Sequence, residues 1–140
     1  MGAYARLRRY KGAMGNTGEV SVPHPLREAL EHILGEPIGQ VRVIEHSWFA
    51  RMHPRVRATT RRERIYLTGS AQDFFADPVL MLHEYCHVIR QWGTGQLTVP
   101  TYLAECLRHG YQKNRFEIEA RSFAAEHATE LAALLARTAG

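Results

Sequence analysis

His83, Glu84 and His87 stand in the spacing H-E-x-x-H, within the run HEYCH. On a helix, residues i and i+4 share one face about one turn apart. Two imidazoles placed this way can converge on one zinc ion. The glutamate beside them is positioned to take a proton from a zinc-bound water. Each ligating imidazole presents one ring nitrogen to the metal, and its other nitrogen usually donates to a carboxylate or carbonyl. The motif sits among Leu80, Met81, Leu82, Val88 and Ile89. Two histidines and a glutamate are costly to bury in such company, and a metal would account for them. An accidental polar face on a surface helix is the competing account.

A catalytic zinc site needs a third protein ligand and an open position. The zincin pattern with Gly three residues after the second His and another His three further on is absent, because those positions hold Arg90 and Gly93. The candidates downstream are Glu105, His109, Glu117, Glu119, Glu126 and His127. Glu117 and Glu119 are two positions apart, about 200° around a helix, so only one of them can face the metal. Tyr102, His109 and Tyr111 lie between the metal-bearing segments and could stabilise an oxyanion. An aromatic helix face is the simpler account of each.

These residues need elements to hold them. Pro25 opens a short helix that Gly35 closes, with Leu26, Leu30, Ile33 and Leu34 on one face. Residues 41–46 alternate as a strand, with Val41, Val43 and Glu45 on one side, and residues 56–60 and 64–68 supply two more. Asp77-Pro78 is a helix start, and that helix is expected to run to about Trp92 with Gly93 as its stop. A loop follows, then a helix from Pro100 to about Tyr111 and a long one from about Arg115 to Arg137. The order predicts an α+β domain, with a small N-terminal β-sheet packed on a helical half that carries the motif. Residues 1–22 read as a loosely held arm, and 140 residues make a single domain with a real core. Trp48, Phe49, Phe74, Phe75 and Trp92 are expected in the core or pocket wall, and His24, His32, His46 and His53 as ordinary polar residues.

Composition narrows the function classes. The chain is 45% hydrophobic and 23% charged, which excludes disorder as the main state. The longest apolar run, Leu131 to Ala136, is far short of a membrane span. No signal-peptide stretch follows the start, and Arg6 breaks the myristoylation pattern. A cytoplasmic protein, or one delivered by a specialised secretion apparatus, is the expectation, with no membrane partner. Cys86 and Cys106 read as free thiols. The net charge is +4, with six arginines at positions 51, 55, 57, 61, 62 and 64. Arginine forks suit an acidic protein partner or nucleic acid. No nucleic-acid module accompanies them, which favours a solvated arginine-rich surface.

HEYCH followed by FEIEARSFAAE resembles the glutamate zincins, whose third ligand is a Glu on a later helix. The run E-x-E-A-x-x-F-A-A is similar to that of phage-type anti-repressor-cleaving and radiation-response metallopeptidases. That resemblance implies Glu117 as the ligand. It also leaves Arg121 where relatives often carry Asn or Asp. Residues 22–91 resemble a second group, the core domain of extracellular contractile injection systems. The likeness rests on VPHPLREALEHILG, VRVIEH, RERIYLTG and LMLHEYCHVIRQ. His83, Glu84, His87, Val88 and Gln91 agree with that pattern, while Tyr85 and Cys86 replace its usual small or aliphatic residues. The resemblance implies a zincin-like fold and a bacterial toxin-associated zinc metallopeptidase acting on a peptide or protein substrate. The combined expectation is His83, His87 and Glu117 on Zn2+, with Glu84 activating the bound water. In this class an edge strand commonly holds an extended peptide, and residues 64–68 are the expected one. The alternative is a catalytically inactive zincin-like adaptor whose arginine-rich surface takes an acidic partner or nucleic acid.

Overall fold

A computed structural model describes residues 18–52 and 57–138. Strand β1 (Glu19–Val20) leads into helix α1 (His24–Leu34), strand β2 (Arg42–Ile44) and the short helix α2 (Trp48–Arg51). Strands β3 (Ala58–Arg61) and β4 (Arg64–Leu67) form a hairpin, followed by the short helix α3 (Ala71–Phe75). Helix α4 (Pro78–Tyr85) continues as a π-helical segment over Cys86–Trp92. Helices α5 (Val99–His109) and α6 (Arg115–Thr138) complete the chain. The architecture is α+β, as the element order predicts. No helix among the described residues is long and apolar enough to cross a membrane.

Local chemistry explains most boundaries. The Gly35 φ of 73° ends α1 in the left-handed conformation that favours glycine, and its N–H donates to the Glu31 carbonyl. The Asp77 side chain accepts from the Leu80 N–H at 3.1 Å and caps α4, with Pro78 following. Arg57 donates to the same Asp77 carboxylate at 2.7 Å, so one member of the arginine cluster is engaged in the fold. Thr98 and Thr101 cap α5 reciprocally. Asn114 caps α6, its Oδ1 accepting from the Phe116 N–H at 2.9 Å.

The sheet runs β1-β2-β4-β3, with β2 and β4 parallel and the other pairs antiparallel. The structure therefore corrects the expected edge strand: residues 64–67 form the interior strand β4, and among the described residues β1 and β3 are the edges. Side chains explain the order. Ile65 and Leu67 of β4 are buried, whereas β3 reads Ala-Thr-Thr-Arg and buries Ala58 alone. The core lies where the sheet, α1, α4 and α6 meet, around Leu30, Val43, Ile65, Met81, Leu82 and Leu131. The face of α1 is the predicted one.

Other expectations need correction. Residues 19–20 pair with β2, so the loose arm does not reach residue 22, and residues 1–17 lie outside the described residues. So do His53 and Arg55 of the readings above. Trp48 is 74% exposed, neither core nor pocket wall, although it begins α2. Helices α2 and α3 were not foreseen. Each is one turn capped by a serine, Ser47 and Ser70, and too short for periodicity to register. The helix expected over 78–92 has the right span but changes to π-helix after Tyr85. Gly93 ends it without left-handed geometry. A Cβ there would sit 2.6 Å from the Ile89 carbonyl oxygen, so the site demands a residue with no side chain.

Candidate metal centre

The wall around the motif is built from α4, its π-helical continuation and α6, with α4 packing chiefly on α6. Burial of Met81, Leu82 and Tyr85 on one side turns His83, Glu84 and His87 toward α6. There Glu117 occupies the first turn and is buried. His83 Nε2 lies 2.9 Å from Glu117 Oε1, His87 Nε2 lies 3.0 Å from the same oxygen, and the two Nε2 atoms are 3.2 Å apart. A tetrahedral ion with bonds of about 2.05 Å separates its ligand atoms by about 3.3 Å. The three donors are thus spaced as ligands of one small cation would be. Two imidazole nitrogens and a carboxylate oxygen are also a zinc-type donor set.

Electrostatics follow from this crowding. Burial works to raise the Glu117 carboxyl. Hydrogen bonds from His83 and His87, with their charge, outweigh it and hold Glu117 well below the usual carboxylate range. Burial works to lower His87, and the Glu117 carboxylate, Glu84 and Gln91 reverse it, pushing His87 up to about 9. Glu84 is 4% exposed and accepts no part of this cluster; its carboxyl is raised chiefly by burial. A raised carboxyl beside the three donors suits a group that takes up and returns a proton. Burial also pushes the Cys86 thiol up to about 12, which leaves it inert, and both cysteines are free as expected.

Glu84, His87 and Glu117 open onto a cleft of about 530 Å³. Thr59, Thr60 and Arg61 of the β3 edge form one wall, and Val99, Tyr102 and Leu103 of α5 form the other. Phe49 and Trp92 are pocket wall, as expected, and the Trp92 indole N–H donates to Thr60 Oγ1 at 3.2 Å. Phe74 and Phe75 are core.

The remaining candidates separate cleanly. Glu119 is exposed on the other side of α6, as the 200° argument requires of one of the pair. Glu105 meets Arg115 at 3.5 Å and His109 at 4.0 Å, and it does not line the cleft. Glu126 is exposed, and His127 pairs with Glu130 at 3.3 Å. Of the three oxyanion candidates, His109 is away from the cleft, while both tyrosines reach Glu117. The Tyr102 hydroxyl donates to Glu117 Oε2 at 3.1 Å, and the Tyr111 hydroxyl lies 3.5 Å from Oε1. Burial and the nearby carboxylate raise both phenols, Tyr111 to about 12, so both remain donors at neutral pH. Arg121 donates to the Gln112 carbonyl and side chain, bracing the loop that carries Tyr111.

Sequence reasoning missed Asn114 and had Gln91 only as a position that agrees with the family pattern. Asn114 is fully buried, donating to the Tyr102 carbonyl and to Cys106 Sγ while it caps α6. An Asn directly before an amphipathic run is a capping signal that could have found it. Gln91 is fully buried against His87.

No curated protein and no solved structure matches the chain. The family model described as the eCIS core domain matches residues 21–95, which hold strands β2, β3 and β4, His83, Glu84, His87 and Gln91 but not β1 or Glu117. That match spans more than half of the 140 residues, and the chain belongs to the eCIS core domain family.

Proposed function

We propose that this chain is a zinc-dependent peptidase of glutamate-zincin type. The observation that carries the reading is the mutual spacing of 2.9–3.2 Å among His83 Nε2, His87 Nε2 and Glu117 Oε1, with the buried carboxyl of Glu84 alongside. These three residues would hold the metal. Bound there, zinc would supply Lewis-acid polarisation of a carbonyl and lower the pKa of a water molecule.

The protein's own groups carry the rest. Glu84 takes the proton of the attacking water and returns it to the leaving amine. Tyr102 is committed to Glu117 Oε2, which leaves Tyr111 as the freer phenol to donate to a developing oxyanion. The β3 edge, which pairs with β4 alone among the described residues, offers its other side for an extended peptide to add as a strand along the cleft wall. Family membership supports delivery by, or work within, a contractile injection system.

Glu84→Gln keeps shape and removes the proton acceptor. Measured on unstructured protein substrates with zinc-loaded enzyme, it is expected to lower kcat by about 10²–10⁴-fold. Full activity in folded Glu84→Gln protein contradicts the proposal.

One observation favours a second reading, an inactive adaptor. Val99, Leu103 and Leu107 form an exposed apolar stripe on α5, and Leu107 is 89% exposed. An adaptor would bind zinc yet cleave nothing, and Leu103→Lys would abolish partner capture without changing zinc content.

A further inference from the structure

Gln91 is fully buried one turn beyond His87, in the π-helical segment. Its Oε1 lies 2.6 Å from His87 Nδ1, and its Nε2 donates to the Phe116 carbonyl at 3.0 Å. The orientation of this amide follows from its surroundings. A carbonyl oxygen only accepts, so the amide nitrogen must face Phe116 and the amide oxygen must face His87. Nδ1 of His87 must then carry a proton, which turns Nε2 toward His83 and Glu117 as the nitrogen available to a metal. Phe116 is the residue before Glu117. A single buried amide therefore grips the ring of one candidate ligand and the backbone beside another, on two different helices.

We infer that Gln91 is the positioning residue of the metal centre, fixing the His87 ring through Nδ1, with the Phe116 carbonyl holding the amide in the orientation that presents its oxygen to His87. The inference rests on the zinc reading for its consequence, but the Gln91–His87 hydrogen bond does not. Among the described residues no carboxylate stands at His87 Nδ1, the partner often found behind a ligating histidine, and a carboxamide takes that place.

Two variants separate the halves of the grip. Gln91→Leu removes both hydrogen bonds. Gln91→Glu keeps an acceptor for His87 Nδ1 and removes the donor to Phe116. Zinc affinity, measured by competition with a chromophoric chelator, should fall about 10–100-fold in Gln91→Leu. It should stay within about threefold of wild type in Gln91→Glu, the size of effect left when the ring contact survives. The metal-free wild-type protein should also show a slowly exchanging, downfield His87 Nδ1 proton by NMR, absent in Gln91→Leu. Wild-type zinc affinity in Gln91→Leu overturns the inference, as does absence of that proton in wild type. If Gln91→Leu does not fold, Gln91→Glu decides: retained affinity supports the inference and a loss beyond tenfold overturns it. If the wild type binds no zinc, the zinc reading falls, and the Nδ1 proton alone supports or overturns the role of Gln91.

Discussion

Helices α4 and α5 both contribute to the cleft and are held by opposite means. Helix α4 buries Met81, Leu82, Glu84 and Tyr85 and packs along α6. Helix α5 has no fully buried residue. It is kept in place by the Thr98–Thr101 cap, by Asn114 at the Tyr102 carbonyl and Cys106, and by the Arg115–Glu105 pair. The candidate metal donors thus stand on close-packed elements, where a displacement of a few tenths of an ångström is resisted by the whole core. The α5 wall, with Val99 and Leu103, stands on a helix whose apolar stripe is exposed. A rigid donor side and a loosely anchored α5 side suit the proposed peptidase, which would hold its reacting groups still while admitting a chain of variable shape.

That contrast can be broken by substitution. Leu82→Ala in α4 removes a fully buried side chain and is expected to cost about 2–5 kcal/mol in chemical denaturation. A cost below about 1 kcal/mol would mean that α4 is not the anchored element.

The next effect comes from pH. His87 titrates at about 9 in the metal-free fold against 6.5 ordinarily, so its contribution is complete below about pH 6.5 and is lost as pH rises through 9. Glu117 is held below its usual 4.5, so its contribution is present above that value and fades as pH falls toward its depressed pKa. Glu84, raised by burial, favours the fold below its ordinary 4.5 and loses that contribution as pH rises toward its raised pKa. Metal-free protein should therefore be most stable near pH 5–6 and weaken by on the order of 3 kcal/mol toward pH 10. Urea melts across that range check it, and stability that rises toward pH 10 would show that the cluster is not paired as described.

Asn114→Ala tests the polar ties of the looser wall. It removes the α6 cap and both bonds to α5 and should cost about 1–3 kcal/mol, with hydrogen exchange in α5 accelerating more than in α4. Equal acceleration in the two helices would erase the distinction drawn between them. Leu107→Ala is expected to change stability least, by under about 0.5 kcal/mol, because that side chain touches little.

The same contrast marks what was legible in the sequence. Where one residue carries a strong local rule, the expectation held: Gly35 and Asp77-Pro78 mark helix ends, and the α1 face follows its periodicity. Helical geometry separates Glu117 from Glu119, and the two do face apart. Strand order was a matter of long-range pairing, invisible to a reading that takes strands one at a time. Even so, the apolar content of Arg64–Leu67 against Ala58–Arg61 carried the signal that β4 is interior. The π-helical turn has no compositional mark, since it depends on how the segment packs after Tyr85. Tyr111 lies beyond the end of α5 rather than within it, and reaches Glu117 because the following loop folds back.

The most direct measurement is zinc content by mass spectrometry, on zinc-reloaded wild type and on Glu117→Ala and Glu119→Ala. About one zinc per chain in wild type and Glu119→Ala, with a large loss in Glu117→Ala, is the predicted result for a site of three protein ligands. No zinc in the folded wild-type protein, or equal retention in all three, would contradict the metal centre built from His83, His87 and Glu117.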